Sequence, residues 1–234
     1  MSALFVVPML LVMAVGPLLR WRRDSFASVR GSLMIPLALV VLAAVLVPIL
    51  IVAGWNDAPD RPLATQTYVA LVLAVESMVM LSFVALDVLL FYLVFEATLI
   101  PLYFLIGRYG TASAASKAAL KFLLYNLFGG LIMLTAIIGL YVLSASTRDG
   151  TLDFRSLLNI THDADPAIQK LLFLGVMVAF AIKAPLWPFH TWLPGVATSA
   201  KPATAVLMMA IVDKVGTFGM LRYCLQLFPD ASLY

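Results

Sequence analysis

The sequence predicts an all-α fold, a polytopic bundle of about seven transmembrane helices, one of them broken by prolines. Composition is the first observation: 63% of the 234 residues are hydrophobic and 12% are charged, about half the ~25% of an ordinary soluble domain. A soluble chain of this length has too few polar groups here to cover its surface, whereas a bilayer favours long apolar helices. The second observation is the recurrence of apolar stretches of ~20 residues, the length of one crossing. The third is that ionisable residues and prolines sit inside those stretches as well as between them.

The first stretch, Ser2–Leu19, is followed by Arg20, Arg22 and Arg23. A signal peptide carries its charge before the apolar run, so an uncleaved span is predicted. The second stretch is Ser32–Ala53. From Tyr68 to Ile106 the chain is apolar apart from Glu76, Asp87, Glu96 and a few small polar residues. At ~1.5 Å per residue that is about two membrane thicknesses, which predicts two helices joined by a tight turn near Asp87. Further spans are predicted at Leu120–Leu143, at Ile168–Pro185 with a continuation to Leu193, and at Ala203–Leu227. The 144–170 connection holds Asp149, Asp153, Asp163 and Asp165 and reads as a solvated excursion. Residues 1–67 read as N-terminal transmembrane helices, with the remaining spans in 68–234.

Orientation does not follow from charge. Arg20, Arg22, Arg23, Arg30, Arg148, Arg155 and Lys170 fall on one side, and Arg61, Arg108, Lys117, Lys121 and Lys201 on the other. A split this even assigns no inside face. The formal net charge of +3 is too small to argue for a nucleic-acid partner. The single Cys224 cannot form an internal disulfide or a cysteine-based metal site, and His162 and His190 are too few for a poly-histidine one. With no glycine-rich phosphate loop after a strand pattern, the expectation is a chain with no cofactor or metal of its own.

The ionisable residues that stand out inside predicted spans are Glu76, Asp87, Glu96, Lys183, Asp213 and Lys214. Each costs at least ~2.5–3.5 kcal/mol at mid-bilayer unless it pairs, meets water or becomes neutral. A lysine beside a carboxylate that moves is a plausible unit of a proton relay, because the carboxylate alters the lysine's hold on its proton. The bland reading differs by residue. Asp87 and Asp213 suit helix ends, where a carboxylate caps or reaches water, and Glu76 suits a structural hydrogen bond or ion pair. Lys117 and Lys121 share a face at i, i+4 spacing, with Lys117 snorkelling to the interface and Lys121 deeper. Glu96, Lys183 and Lys214 lie well inside apolar runs and favour function. Asp87 and Glu96, nine residues apart, would serve different neighbours, and consecutive Asp213 and Lys214 do not face each other as a helix pair.

The sharpest local feature is Lys183-Ala-Pro-Leu-Trp-Pro-Phe-His-Thr-Trp-Leu-Pro194. Its prolines at 185, 188 and 194 remove amide donors and must break the helix. Broken helices at membrane depth persist where the freed backbone groups meet water, side chains or an ion. Lys183 precedes the break, where its cation suits the negative end of the half-helix. His190, whose imidazole is a side chain suited to passing protons, would share its face in an unbroken helix.

These residues carry a family resemblance. Phe180-Ala-Ile-Lys-Ala-Pro-Leu-Trp-Pro-Phe-His-Thr-Trp-Leu-Pro194 resembles the broken-helix signature of antiporter-like subunits of respiratory complex I and of multisubunit cation/proton antiporters. Phe91-Tyr-Leu-Val-Phe-Glu96 and Leu99-Ile-Pro-Leu-Tyr-Phe-Leu-Ile106 resemble the helix carrying that family's intramembrane glutamate. Lys121-Phe-Leu-Leu-Tyr125 and Asp213-Lys-Val-Gly-Thr-Phe-Gly-Met-Leu-Arg-Tyr223 continue the match, which runs from about Leu46 to Ser232. Within the family the M-type (chain 4) subunits of bacterial NADH:quinone oxidoreductase are the most similar.

The resemblance implies a proton-translocating membrane subunit in a multi-pass setting of the cell inner (plasma) membrane. It implies that Glu96 and Lys183 form the controlling charge pair, that Lys214 passes protons onward with His190 between the lysines, and that Asp87 and Lys121 support them. NADH, FMN, iron–sulfur clusters and quinone would belong to partner subunits, membrane and peripheral. The chain departs from the family pattern at Gly195-Val196, where an acidic residue is usual. Family members have roughly fourteen helices with two inverted repeats, so a fragment or truncated relative holding one half-channel is expected. The alternatives are a subunit of a stand-alone cation/proton antiporter, which would lack flavin and iron–sulfur partners, and a structural membrane protein whose charges are buried ion pairs.

Overall fold

The computed structural model describes residues 62–111, 113–147 and 149–233, together with helical positions 41, 45, 48, 49, 51 and 52. The predicted span Ser2–Leu19, most of Ser32–Ala53, and Arg20, Arg22, Arg23, Arg30, Arg61 and Arg148 lie outside the described residues. Among those described, five helical stretches are long and apolar enough to cross a membrane: Thr65–Val84, Val88–Gly107, Ala115–Ser146, Pro166–Lys183 and Pro202–Leu227. They coincide with the last five spans predicted above, and no strand accompanies them among the described residues.

The first, α1 (Pro62–Val84), stops three residues before α2 (Val88–Ala97). The tight turn forms where it was predicted because Asp87 caps α2: its carboxylate accepts the Leu90 N–H at 2.8 Å. Thr98 then separates α2 from α3 (Leu99–Gly107) within one span. The cause lies three residues further on, since Pro101 has no N–H for the Ala97 carbonyl and its ring crowds that carbonyl. A long helix, α4 (Ala115–Thr147), follows. Its 33 residues extend ~50 Å against a hydrocarbon core of ~30 Å, so it outreaches the membrane.

The 144–170 connection differs from a plain solvated loop. It contains α5 (Phe154–His162), whose buried Phe154, Leu157 and Thr161 recur at helical spacing and dock on the bundle. Two of the aspartates that mark the connection as polar are helix caps. Asp153 accepts the Ser156 N–H at 3.0 Å at the start of α5, and Asp165 accepts the Ala167 N–H at 2.7 Å at the start of α6 (Pro166–Lys183). The connection is pinned back by an isolated antiparallel bridge between Asp87 and Asp153, with Val88 donating to Leu152 O at 3.0 Å and Phe154 to Leu86 O at 2.9 Å.

The most extensive helix pairing is α4 against α6. Small residues allow it: a side chain at Gly175 would come within 2.9 Å of Ala136, and one at Gly139 within 2.6 Å of Leu172. Where lipid tails are as apolar as leucine, close backbone approach of this kind drives association. The opposite side of α4 exposes Leu124, Phe128, Leu131, Ile138 and Val142, a face suited to hydrocarbon. After α6 the chain forms a short 3-10 turn, Phe189–Trp192, then α7 (Leu193–Ser199) and α8 (Pro202–Leu227). Two π turns, Met208–Val212 and Met220–Cys224, interrupt α8. A last turn, α9 (Pro229–Ser232), packs back on α6.

Candidate functional site

The helix break after Lys183 is satisfied bond by bond. Pro185 has no donor for the Ala181 carbonyl, and the Leu186 N–H takes it instead at 2.8 Å. The neighbouring Ile182 carbonyl receives the Trp192 indole N–H at 2.9 Å from beyond the break. Phe189 N–H reaches Leu186 O at 2.7 Å to begin the 3-10 turn. Trp192 is buried and lies edge-on to Phe122 of α4 at 5.2 Å. The three prolines therefore open the backbone, and an indole from the far side closes it.

At the end of α6, Lys183 is 2% exposed, which for a cation demands strong compensation. The compensation comes from the α2–α3 span, at the point where Thr98 interrupts it. The ammonium donates to the Phe95 carbonyl at 2.5 Å and to Thr98 Oγ1 at 3.3 Å, and it lies 3.6 Å from the centre of the Phe95 ring. Thr98 Oγ1 itself donates to the same Phe95 carbonyl at 2.7 Å. Charge-assisted hydrogen bonds contribute about 1.5–3 kcal/mol each, and a desolvated cation–π contact about 2. These together hold a lysine that apolar surroundings would otherwise expel.

Glu96 adjoins Phe95 in sequence, and its charge is felt at Lys183. The two do not form a direct ion pair. Both Glu96 carboxyl oxygens are buried and have no hydrogen-bond partner among the described residues. The carboxyl lies instead against the backbone of α4 at Gly130. Beneath the lysine, Phe91, Phe95, Phe180 and Tyr223 close the bundle with ring centroids 4.5–6.3 Å apart.

A second polar group lies at the broken segment. Lys121 of α4 donates to Thr191 O at 2.6 Å, and Thr191 Oγ1 donates to the Tyr125 hydroxyl at 2.9 Å. Lys121 is exposed and ties α4 to the 3-10 turn that carries His190. His190 is half-buried, with Nδ1 buried and lacking a hydrogen-bond partner among the described residues. Because α6 ends at Lys183, the shared face expected for Lys183 and His190 in an unbroken helix does not form.

The remaining predicted residues lie apart. Asp87 is the cap of α2. Lys214 is on an exposed face of α8, directly after the first π turn, with half-buried Asp213 within reach of its charge. Glu76 is half-buried on α1. The structure therefore unites Glu96 with Lys183 and Lys121 with the His190 turn, and it leaves Lys214 on a separate face. Thr98, Trp192 and Gly130 escaped the sequence reading. The signal for Gly130 was the Gly129-Gly130 pair in the middle of a long apolar helix, where glycine costs about 0.5–1 kcal/mol relative to alanine and usually has a packing reason.

The family model described as NADH:quinone oxidoreductase/Mrp antiporter, transmembrane, matches residues 85–233. Subunit M of the NADH-quinone oxidoreductase of Mycobacterium tuberculosis is 58% identical, with the match covering 86% of this chain and 42% of that protein. A chain of respiratory complex I from Thermus thermophilus superposes with a TM-score of 0.71 at 31% identity, over 84% of this chain and 39% of that one. A chain of the Mrp complex from Dietzia gives 0.63 at 26% identity, over 71% of this chain and 18% of its own length. The chain thus spans about two fifths of the length of the curated relatives it matches.

Proposed function

The chain belongs to the family of transmembrane subunits shared by NADH:quinone oxidoreductases and Mrp antiporters, and from that premise we propose that it is a proton-translocating subunit of a NADH:quinone oxidoreductase in the bacterial inner membrane. The observation that carries this reading is Lys183, a buried cation at a helix break, held by the Phe95 carbonyl, the Phe95 ring and Thr98 beside Glu96. A structural ion pair would bring carboxylate and ammonium into contact. Here the lysine has its own support and the carboxyl lies apart from it against Gly130, so their interaction changes when either one moves.

In this reading residues 68–234 are the antiporter-like repeat and the chain does no redox chemistry. NADH, FMN, iron–sulfur clusters and quinone reside in partner subunits, where electron transfer supplies the drive. That drive alters the field at Glu96. A carboxylate moving toward Lys183 strengthens the lysine's hold on its proton, and one moving away weakens it. The released proton passes by way of His190, at the far side of the break, toward Lys214, whose exposed face on α8 is the exit toward a neighbouring segment. Lys121 keeps the His190 turn in register with α4, and Asp87 fixes the start of the helix that bears Glu96.

The test is Lys183→Ala in the full-length complex, reading protons moved per electron together with turnover. The expected result is a fall in both with the complex still assembled, and unchanged values would sink the proposal. The Mrp-type reading draws on the same family and would use nearly the same residues. Co-purification separates the two: flavin and iron–sulfur partners support the oxidoreductase, and membrane subunits alone support the antiporter.

A further inference from the structure

Gly129 and Gly130 are consecutive on α4 and therefore point about 100° apart. Each meets one carrier of the buried charge pair. A side chain at Gly129 would come within 3.0 Å of Ile182 and 3.4 Å of Ala179, on the α6 turn that ends in Lys183. A side chain at Gly130 would overlap the Glu96 carboxyl itself, meeting its carbon and both oxygens. Neither glycine has a positive φ, so conformational freedom does not explain them. Space does. One glycine lets α6 close on α4, and the next lets the Glu96 carboxyl rest on the helix surface. Asn126, one turn earlier on the same buried face, has its Oδ1 buried and without a hydrogen-bond partner among the described residues.

We propose that Gly130 is a positioning residue, the seat on which α4 holds the Glu96 carboxyl at a set separation from Lys183. A carboxyl that touches only backbone on that side is free to swing toward the lysine or toward Asn126 without losing a hydrogen bond to α4. A methyl group at 130 removes the seat and fixes the carboxyl away from it. The proposal rests on the proton-relay reading of Glu96 and Lys183, and its test separates the two.

The assembled full-length complex is prepared with Gly130→Ala, Glu96→Asp, the double variant, and Glu96→Gln. Two quantities are measured: proton translocation with its pH profile, and the rate at which a hydrophobic carbodiimide modifies position 96, followed by mass spectrometry. Gly130→Ala is expected to assemble, to slow translocation at least tenfold, within the ~10² that a displacement on the order of an ångström can cost, and to shift the pH profile. It is also expected to raise the modification rate severalfold, as the carboxyl leaves its seat. Glu96→Asp, shorter by one methylene, is expected to restore part of the loss when added to Gly130→Ala. A Gly130→Ala complex with native pH profile and modification rate overturns the proposal, and so does a double variant whose losses are simply additive. Full translocation by Glu96→Gln sinks the relay reading instead, and the modification rate in Gly130→Ala then still decides whether the glycine is the seat.

Discussion

At the scale of single residues, the distinguishing feature is a buried lysine supported without its carboxylate. Thr98 bonds to the lysine and to the carbonyl it sits on, so its hydroxyl should matter more than its bulk. Thr98→Val preserves shape and removes one acceptor from a buried ammonium, a loss of about 1–3 kcal/mol. The expected outcome is slower translocation with little change in assembly, measured in vesicles carrying the complex. Native pumping would mean that the Phe95 carbonyl and ring suffice. Trp192 is the second such residue. Trp192→Phe keeps the ring against Phe122 and strands the Ile182 carbonyl, which should destabilise the fold by about 1–3 kcal/mol and lower the melting temperature of the solubilised complex. An unchanged melting temperature would show that another donor closes the break.

At the scale of elements, the two interrupted spans make the site together. The α2–α3 span is interrupted at Thr98, three residues before Pro101, Pro185 opens α6, and the Lys183 ammonium bridges the two. Pro101→Ala gives the Ala97 carbonyl its donor and removes the ring clash. The helix should become continuous, and the melting temperature should hold or rise while translocation falls. Retained translocation with a lower melting temperature would make the interruption a packing device only. The break at Pro185 was legible in the sequence because proline acts locally. The pairing that repairs it was not, since Trp192 and Ile182 meet across a turn whose path no periodicity encodes. The same holds for α5. Aspartates at 153 and 165 marked a polar connection, and only their backbone partners identify them as caps.

At the scale of the whole molecule, apolar length alone located the five described helices that are long and apolar enough to cross a membrane, because a bilayer fixes that length. Glu96 and Lys183 stood out as candidates for a related reason: ionisable groups inside apolar runs are costly enough to be noticed. What stayed hidden was relative placement. Lys214 reads as equivalent to Lys183 in sequence, yet it occupies an exposed face of α8 while Lys183 is enclosed. The two should therefore respond differently to solvent-borne reagents. An amine-reactive probe applied to the solubilised chain is expected to label Lys214 and spare Lys183, with mass spectrometry reading each site. Equal labelling would contradict the burial of Lys183.

The ends of α6 also bear on how the protein meets a voltage. Its first turn is capped by Asp165 and its last residue is Lys183, so fixed charges oppose the roughly half-unit partial charges at each end of the helix. Each full charge exceeds the half-unit it opposes, so with the lysine protonated α6 carries a reversed dipole of about the same size, and Lys170 adds a positive charge near its start. Loss of the Lys183 proton removes the positive charge at the buried end and leaves Asp165 and Lys170 in place. A transmembrane potential, worth about 2.3 kcal/mol per elementary charge per 100 mV, would then act on the moving proton and on the charges that stay behind. Imposed voltage should thus change the speed of transfer through the break, and a rate in vesicles that does not vary with voltage would place the Lys183 proton outside the field.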